Sequence, residues 1–195
     1  MMRAPHVVAV DGGFASMGIA RLAYDGARWG LHGTPALLVL TTKKSEKKRR
    51  VRAADDNQRR AEDIGAMLAE ILDADAPIAV LSEGLSLPRN AGSAVKVGIA
   101  WGVLVEACRA RGVPMLQASP QEVKLRVCGA RDASKAAVQA AVCKLYPHAA
   151  ARALGAMNKT LREHAADALA VAHTCLTAPE IRAAVRMYTD HRGGV

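Results

Sequence analysis

Aromatic side chains make up 3% of the 195 residues, and Phe14 is the single phenylalanine. So few rings exclude recognition of a nucleic acid by stacking bases on an aromatic array, and leave any such contact to the phosphate backbone. The four cysteines, Cys108, Cys128, Cys143 and Cys175, lie far apart with no C-x-x-C pair. That argues against a zinc site and against dithiol redox chemistry, and for reduced, packed thiols. There is no apolar h-region at the N-terminus, and no run approaches the roughly 20 apolar residues that span a bilayer. Neither export nor membrane association is expected, and the expected location is cytoplasmic. Acidic residues are in deficit, 18 against 27 Lys and Arg, for a formal charge of +9. The missing negative charge points to a polyanionic partner.

What is present begins with the placement of that charge. Lys43, Lys44, Lys47, Lys48, Arg49, Arg50 and Arg52 gather much of the excess in one loop at about 42–54. Taken alone, a charge run is a solvated loop; in a basic chain with paired acids it is a candidate phosphate-binding segment. The hydrophobic share of 51% is enough for a proper core, and one domain over residues 1–195 is expected.

Residues 7–11, 17–24 and 36–41 read as three short strands of an antiparallel meander, with a turn region at 26–35. From Ala53 the spacing of Ile64, Met67, Leu68, Ile71 and Leu72 predicts an amphipathic helix that stops before Pro77. A fourth strand is expected at 78–82. Residues 91–111 form a long helix that is apolar on more than one face, so it is either deeply buried or shared with a second subunit. A fifth strand at 113–117 leads into Ser119-Pro120-Gln121-Glu122, a capping box with proline at the first helical position. Asp132 is the expected cap of a helix running to Tyr146, and Thr160 with Glu163 a second capping box opening a helix towards Leu176. The sum is a mixed five-stranded sheet with helices on its faces, the α/β layout of the ribonuclease H-like fold.

Two of these strands end alike, in Asp11-Gly12-Gly13 and in Ser82-Glu83-Gly84. An unpaired carboxylate is expensive in an apolar interior, so each acid belongs where its strand leaves the core. If the two strands are parallel neighbours, Asp11 and Glu83 face each other at one sheet edge. His164 and Asp167 share a helix face three residues apart. Singly, Asp11 also reads as a turn acid, Glu83 as a solvated strand end and His164 as a surface or satisfied core residue. Asp167 interrupts an apolar helix and needs a partner. Together, three carboxylates and an imidazole suit Mg2+ or Mn2+. Two such ions about 4 Å apart can activate water for phosphodiester hydrolysis. Lys124 and Lys135 read as solvated helix residues or as holders of a phosphate.

These residues resemble one family, the RuvC-type Holliday junction resolvases, along most of the chain. Asp11-Gly12-Gly13 with Gly18 resembles the family's D-P-G start, Gly12 replacing the proline. Glu83 to Gly98, including Asn90-Ala91 and Ser93-Ala94-Val95-Lys96-Val97-Gly98, resembles its second acidic motif and the helix after it. Gln121-Glu122-Val123-Lys124 and Ser134-Lys135 resemble its two lysine-bearing segments. His164-Ala165-Ala166-Asp167-Ala168-Leu169-Ala170 is the most specific match, to its terminal acidic motif.

The resemblance implies a homodimeric crossover junction endodeoxyribonuclease that nicks two strands of a four-way DNA junction symmetrically, with one active site per subunit. Asp11, Glu83, His164 and Asp167 would hold two Mg2+, replaceable by Mn2+, and Lys124 and Lys135 would position or neutralise the phosphate. The basic loop and Arg89 would contact DNA. The helix at 91–111 would contribute to the dimer, and a branch-migration helicase is an implied accessory partner. Three residues past Glu83, where the family often carries an aromatic, this chain has Ser86 between Leu85 and Leu87. Rival readings are a nuclease of the same fold acting on forks, flaps or RNA-DNA hybrids, and a non-catalytic branched-DNA-binding protein. An actin-like or sugar-kinase ATPase is opposed by the length of the chain.

Overall fold

The computed structural model describes residues 4–45, 52–86 and 90–190. Lys47, Lys48, Arg49, Arg50 and Arg89 lie outside the described residues.

A run of valines and alanines alternating between two faces makes the central strand. β1 (His6–Asp11) pairs antiparallel with β2 (Ser16–Tyr24) and parallel with β5 (Ala79–Glu83), which pairs parallel with β6 (Met115–Ala118). β2 is nine residues long, and its other edge is shared: β4 (Leu37–Thr41) pairs with its first half and β3 (Trp29–Leu31) with its second. The sheet therefore has six strands rather than five. The extra one, β3, lies in the expected turn region, where three half-buried residues leave too short a pattern to distinguish a strand from a turn.

Strand alternation divides the core in two. Val8, Val10, Ile19 and Val80 face α1 (Ala53–Asp75) and α2 (Ala91–Arg109), burying Ile64, Leu68, Leu72, Ala100 and Leu104. Val7, Ala9, Ala20, Leu22, Ala79 and Leu81 face the opposite layer. That layer holds α3 (Pro120–Cys128), α4 (Lys135–Leu145), α5 (Ala149–Gly155), α6 (Lys159–Cys175) and α7 (Pro179–Asp190). α1 ends as expected, with Ala76 left-handed at φ 43° just before Pro77.

α6 packs close against the sheet because alanines dominate its inner face, with Ala165, Ala166, Ala168, Ala170 and Ala172 buried beside Leu169, Val171 and Cys175. It crosses over Gly18 of β2, where a Cβ would overlap the carbonyl oxygen of His164. Glycine is required there by the close approach of backbone to backbone.

Two caps differ from expectation. α4 is capped by Ser134, whose side chain accepts from the Ala137 amide, and not by Asp132. α6 is capped by Asn158, accepting from the Leu161 amide, and not by Thr160. Each pair offers two competent caps within two residues, and in both helices the local pattern alone does not choose between them. The capping box at Ser119 and Glu122 forms as expected.

For α2 the structure bears on one of the two readings of its apolar faces, deep burial, and leaves the other, a face shared with a second subunit, untouched. Among the described residues it is the one helix long and apolar enough, by length and composition, to cross a membrane. Its Ala100, Leu104, Ala107 and Cys108 are instead buried with α1 and the sheet. Val95 stays 57% exposed, and at Gly98 and Gly102 a Cβ would meet open space. The helix is thus neither deeply buried nor polar on its outer face.

Candidate active site

Both acidic strand ends point to the α6 side of the sheet. In β1, Val7 and Ala9 face that layer, and two residues on Asp11 does too; in β5, Ala79 and Leu81 do, and Glu83 follows them. The register pairs Val10 with Ser82, which brings Asp11 and Glu83 to the same end of neighbouring parallel strands. α6 supplies His164 and Asp167 from above. α3 brings Lys124 and α4 brings Lys135. All six side chains line one cleft of about 250 Å3.

Within it, His164 Nδ1 lies 2.8 Å from Asp11 Oδ2. With the carboxylate as acceptor, Nδ1 carries the proton and Nε2 is left as the free ring nitrogen. This hydrogen bond raises the affinity of His164 for a second proton, against the effect of burial. Lys135 Nζ approaches Glu163 Oε2 at 3.7 Å, so an exposed lysine at the rim is tethered by the helix that carries the acids.

The cleft holds more negative charge than it neutralises. Burial, then the Asp11 and Asp167 carboxylates, push Glu83 up to about 7, although Lys124 and Lys135 oppose them. Burial and Asp11 push Asp167 up to about 6, against Lys135 and His164. Carboxyls in this condition attract a divalent cation, which relieves the repulsion that protonation would otherwise relieve. Among the described residues no three His, Cys, Asp or Glu side chains are already gathered into a ready-made metal cage. The donor set, three carboxylates and one imidazole open to solvent on one side, is one that a hard cation with retained water fits.

Asp11 and Glu83 also border a second recess of about 190 Å3, lined by Ser82, Ser86, Trp101 and Leu104. Ser86, at the position expected for an aromatic, thus lies next to the acids without a ring.

The loop after Asp11 is held by a residue the sequence reading passed over. Arg60 is 2% exposed; its guanidinium lies 4.4 Å above the Phe14 ring, donates to Thr42 Oγ1 at 2.9 Å and reaches the Phe14 carbonyl at 3.4 Å. Thr42 donates to the same carbonyl at 2.8 Å. A signal was available: Arg60 falls in the i, i+4 row of Ile64, Leu68 and Leu72, where a cation has no business unless it is partnered.

The basic loop leaves the sheet at the end that carries Asp11 and Glu83, since Thr41 pairs with Ser16. Asp56 accepts from the Ser45 amide and hydroxyl, and Arg59 donates to the Lys43 carbonyl, so its start is pinned to α1. Lys43, Lys44 and Arg52 are exposed there.

The family model "Crossover junction endodeoxyribonuclease RuvC" matches residues 47–175. A protein of that name from Teredinibacter turnerae is 29% identical over 168 residues, covering 86% of this chain and 85% of its own. One from Protochlamydia amoebophila is 37% identical over 103 residues, an alignment that spans little more than half of either protein, 53% of this chain and 56% of the relative. Among solved structures, T. thermophilus RuvC in complex with a Holliday junction substrate superposes with a TM-score of 0.67 at 28% identity, over 87% of this chain and 92% of that one. The yeast mitochondrial Holliday junction resolvase Ydc2, 14% identical, shares the fold with a TM-score of 0.61, over 98% of this chain and 84% of its own.

Proposed function

Because the chain belongs to the RuvC family of crossover junction endodeoxyribonucleases, we propose that it resolves four-way DNA junctions by paired, symmetric hydrolysis of two phosphodiesters, as a single nuclease domain acting in a homodimer. The observation that carries this reading is the convergence of Asp11, Glu83, His164 and Asp167 with Lys124 and Lys135 on one cleft.

Asp11, Glu83, His164 and Asp167 would hold two Mg2+, which supply an activated water and a stabilised leaving oxygen when bound, Mn2+ serving as a substitute. The chain's own groups do the rest. Lys124 and Lys135 oppose the acids electrostatically and are placed to hold the scissile phosphate. Asp11 fixes the His164 ring by accepting from Nδ1. Arg60 and Thr42 anchor the turn that follows Asp11. Lys43 and Lys44 supply phosphate contacts at the same end of the sheet, and the basic residues that follow them in sequence add to the attraction for phosphate.

The dimer is supported by α2. Val95, Gly98 and Gly102 form an apolar, small-residue face with no covering element among the described residues, suited to a two-fold related copy of itself. A branch-migration helicase is a further partner this function calls for.

Cleavage of a four-way junction, a fork, a flap and an RNA-DNA hybrid is compared with Mg2+ present. Symmetric paired nicks confined to the junction are expected. Equal or better cleavage of forks, flaps or hybrids overturns junction selectivity and leaves a ribonuclease H-fold nuclease of another substrate. An Asp11→Asn variant that cuts normally overturns the metal site.

A further inference from the structure

The end of the sheet away from Asp11 and Glu83 carries a different chemistry. There β2 runs out at Tyr24, β3 begins at Trp29, and α7 lies beside them with Ile181 as its one buried residue. Between these elements is an open groove of about 550 Å3, lined by Tyr24, Trp29, Ile181, Arg182, Val185 and Arg186. The Tyr24 and Trp29 rings are 5.4 Å apart and tilted at 46°, so they form an angled apolar wall. Arg182 and Arg186 are one turn apart on α7 and share a face. Both are exposed, and neither has a carboxylate partner among the described residues. Among the described residues no carboxylate lines the groove.

We infer that this groove docks an acidic peptide segment of a partner protein, with an aromatic or large aliphatic side chain seated against Trp29 and Tyr24 and its carboxylates on Arg182 and Arg186. Alternate residues of an extended peptide lie on one face roughly 7 Å apart, close to the roughly 6 Å between Cβ atoms at i and i+4 of a helix, so two acids can meet two guanidiniums at once. Guanidinium forks bind carboxylates in two-point fashion, and the apolar wall supplies an anchor pocket. DNA fits the groove less well, since a phosphate chain brings nothing apolar to cover Val185 and the two rings. Position adds to the argument: the groove is about 20 Å along β1 from Asp11, so a bound peptide leaves the cleavage cleft open.

The probe is a synthetic peptide of three aspartates followed by leucine and phenylalanine, fluorescently labelled at its N-terminus, titrated with the full chain and followed by anisotropy. A control peptide carries asparagines in place of the aspartates. Binding of the acidic peptide is expected, weakened at least about tenfold by the asparagine control and by Arg182→Glu/Arg186→Glu, and weakened by Trp29→Ala. Arg182→Ser/Arg186→Ser, which carries no charge reversal, guards against misfolding, and Asp11→Asn is expected to bind the peptide normally. Absence of binding, equal binding of the control, or insensitivity to the arginine variants overturns the inference. So does a loss of junction affinity in the arginine variants, which gives the groove to DNA. Binding that appears only after residues 191–195 are deleted also overturns it, because the chain's own end is then the occupant. Junction cleavage is expected to be unchanged in Arg182→Ser/Arg186→Ser, so this test stands apart from that of the nuclease reading.

Discussion

His164 is held by Asp11: its Nδ1 donates across 2.8 Å to the Oδ2 of an acid 153 residues away in sequence. The bond joins the end of β1 to the second turn of α6, and it favours the protonated ring. Asp11→Asn removes the charge and the stronger acceptor, so the His164 pKa is expected to fall towards its ordinary value. Titration of the ring by NMR, in metal-free protein, checks this. An unchanged His164 titration in Asp11→Asn would show that the contact does not govern the ring.

The raised acids make stability depend on pH in a definite direction. Glu83 moves from an ordinary 4.5 up to about 7, and Asp167 from 3.8 up to about 6. Each binds its proton more tightly folded than unfolded, so the folded chain holds the extra protons across that window and its stability falls as pH rises through it. The raised His164 acts with the same sign. Metal-free protein is therefore expected to melt at a lower temperature at about pH 7.5 than at about pH 5. Mg2+ is expected to raise the melting temperature more at the higher pH, where the carboxylates are free to bind it. A flat metal-free profile, or equal Mg2+ effects at both pH values, contradicts the crowded-carboxylate site.

Gly18 tests the seat of α6. Gly18→Ala forces the strand and the His164 carbonyl apart and is expected to cost about 1–3 kcal/mol in urea unfolding. It also shifts His164 and Asp167 relative to Asp11, so cleavage is expected to fall further than junction binding. Gly12→Ala, where a Cβ meets nothing within 4 Å, is the matched substitution and is expected to be near neutral in stability. Equal unfolding free energies for the two variants would refute the close-approach argument.

Arg60→Met keeps much of the volume and removes the charge. The Phe14 carbonyl keeps Thr42, but the ring loses its cation and Thr42 Oγ1 loses its donor. Loss of such buried partners is expected to cost about 1–3 kcal/mol. Cleavage should drop because Phe14 is three residues from Asp11. Wild-type activity in a destabilised variant would confine Arg60 to a structural role.

Lys43 and Lys44 are tested by salt. Each phosphate contact contributes about 0.9 to the slope of log affinity against log salt, so Lys43→Ala/Lys44→Ala is expected to flatten the slope by about two. Weaker junction binding with an unaltered slope would remove these lysines from the DNA path.

Much of the site was legible because it obeys two short periods. Asp11 and Glu83 continue strand alternations that begin at Val7 and Ala79, and His164 and Asp167 obey the helical i, i+3 spacing, so the local pattern already fixed which way all four point. The capping box at Ser119 is likewise contained in four adjacent residues. Features that depend on tertiary choice were not legible. Ser134 and Asn158 cap their helices in place of Asp132 and Thr160, a choice between competent neighbours that the local pattern does not make. β3 exists because the long β2 offers it an edge. Arg60 matters because Phe14 and Thr42 arrive from two other elements. The hold of Glu163 on Lys135 joins α6 to α4, a contact that neither segment announces.

The parallel pairing of β1 with β5 gives the cleft one rigid side and one adjustable side. Asp11 and Glu83 are spaced by the inter-strand repeat of about 4.8 Å, a length written by backbone hydrogen bonds and insensitive to which side chains fill the core. His164 and Asp167 ride on α6, whose height above the sheet is set by alanines and a glycine. Substitutions that thicken that layer tune the reach across the cleft while its base length stays constant, so activity in this chain can be graded by packing at a distance from any acid.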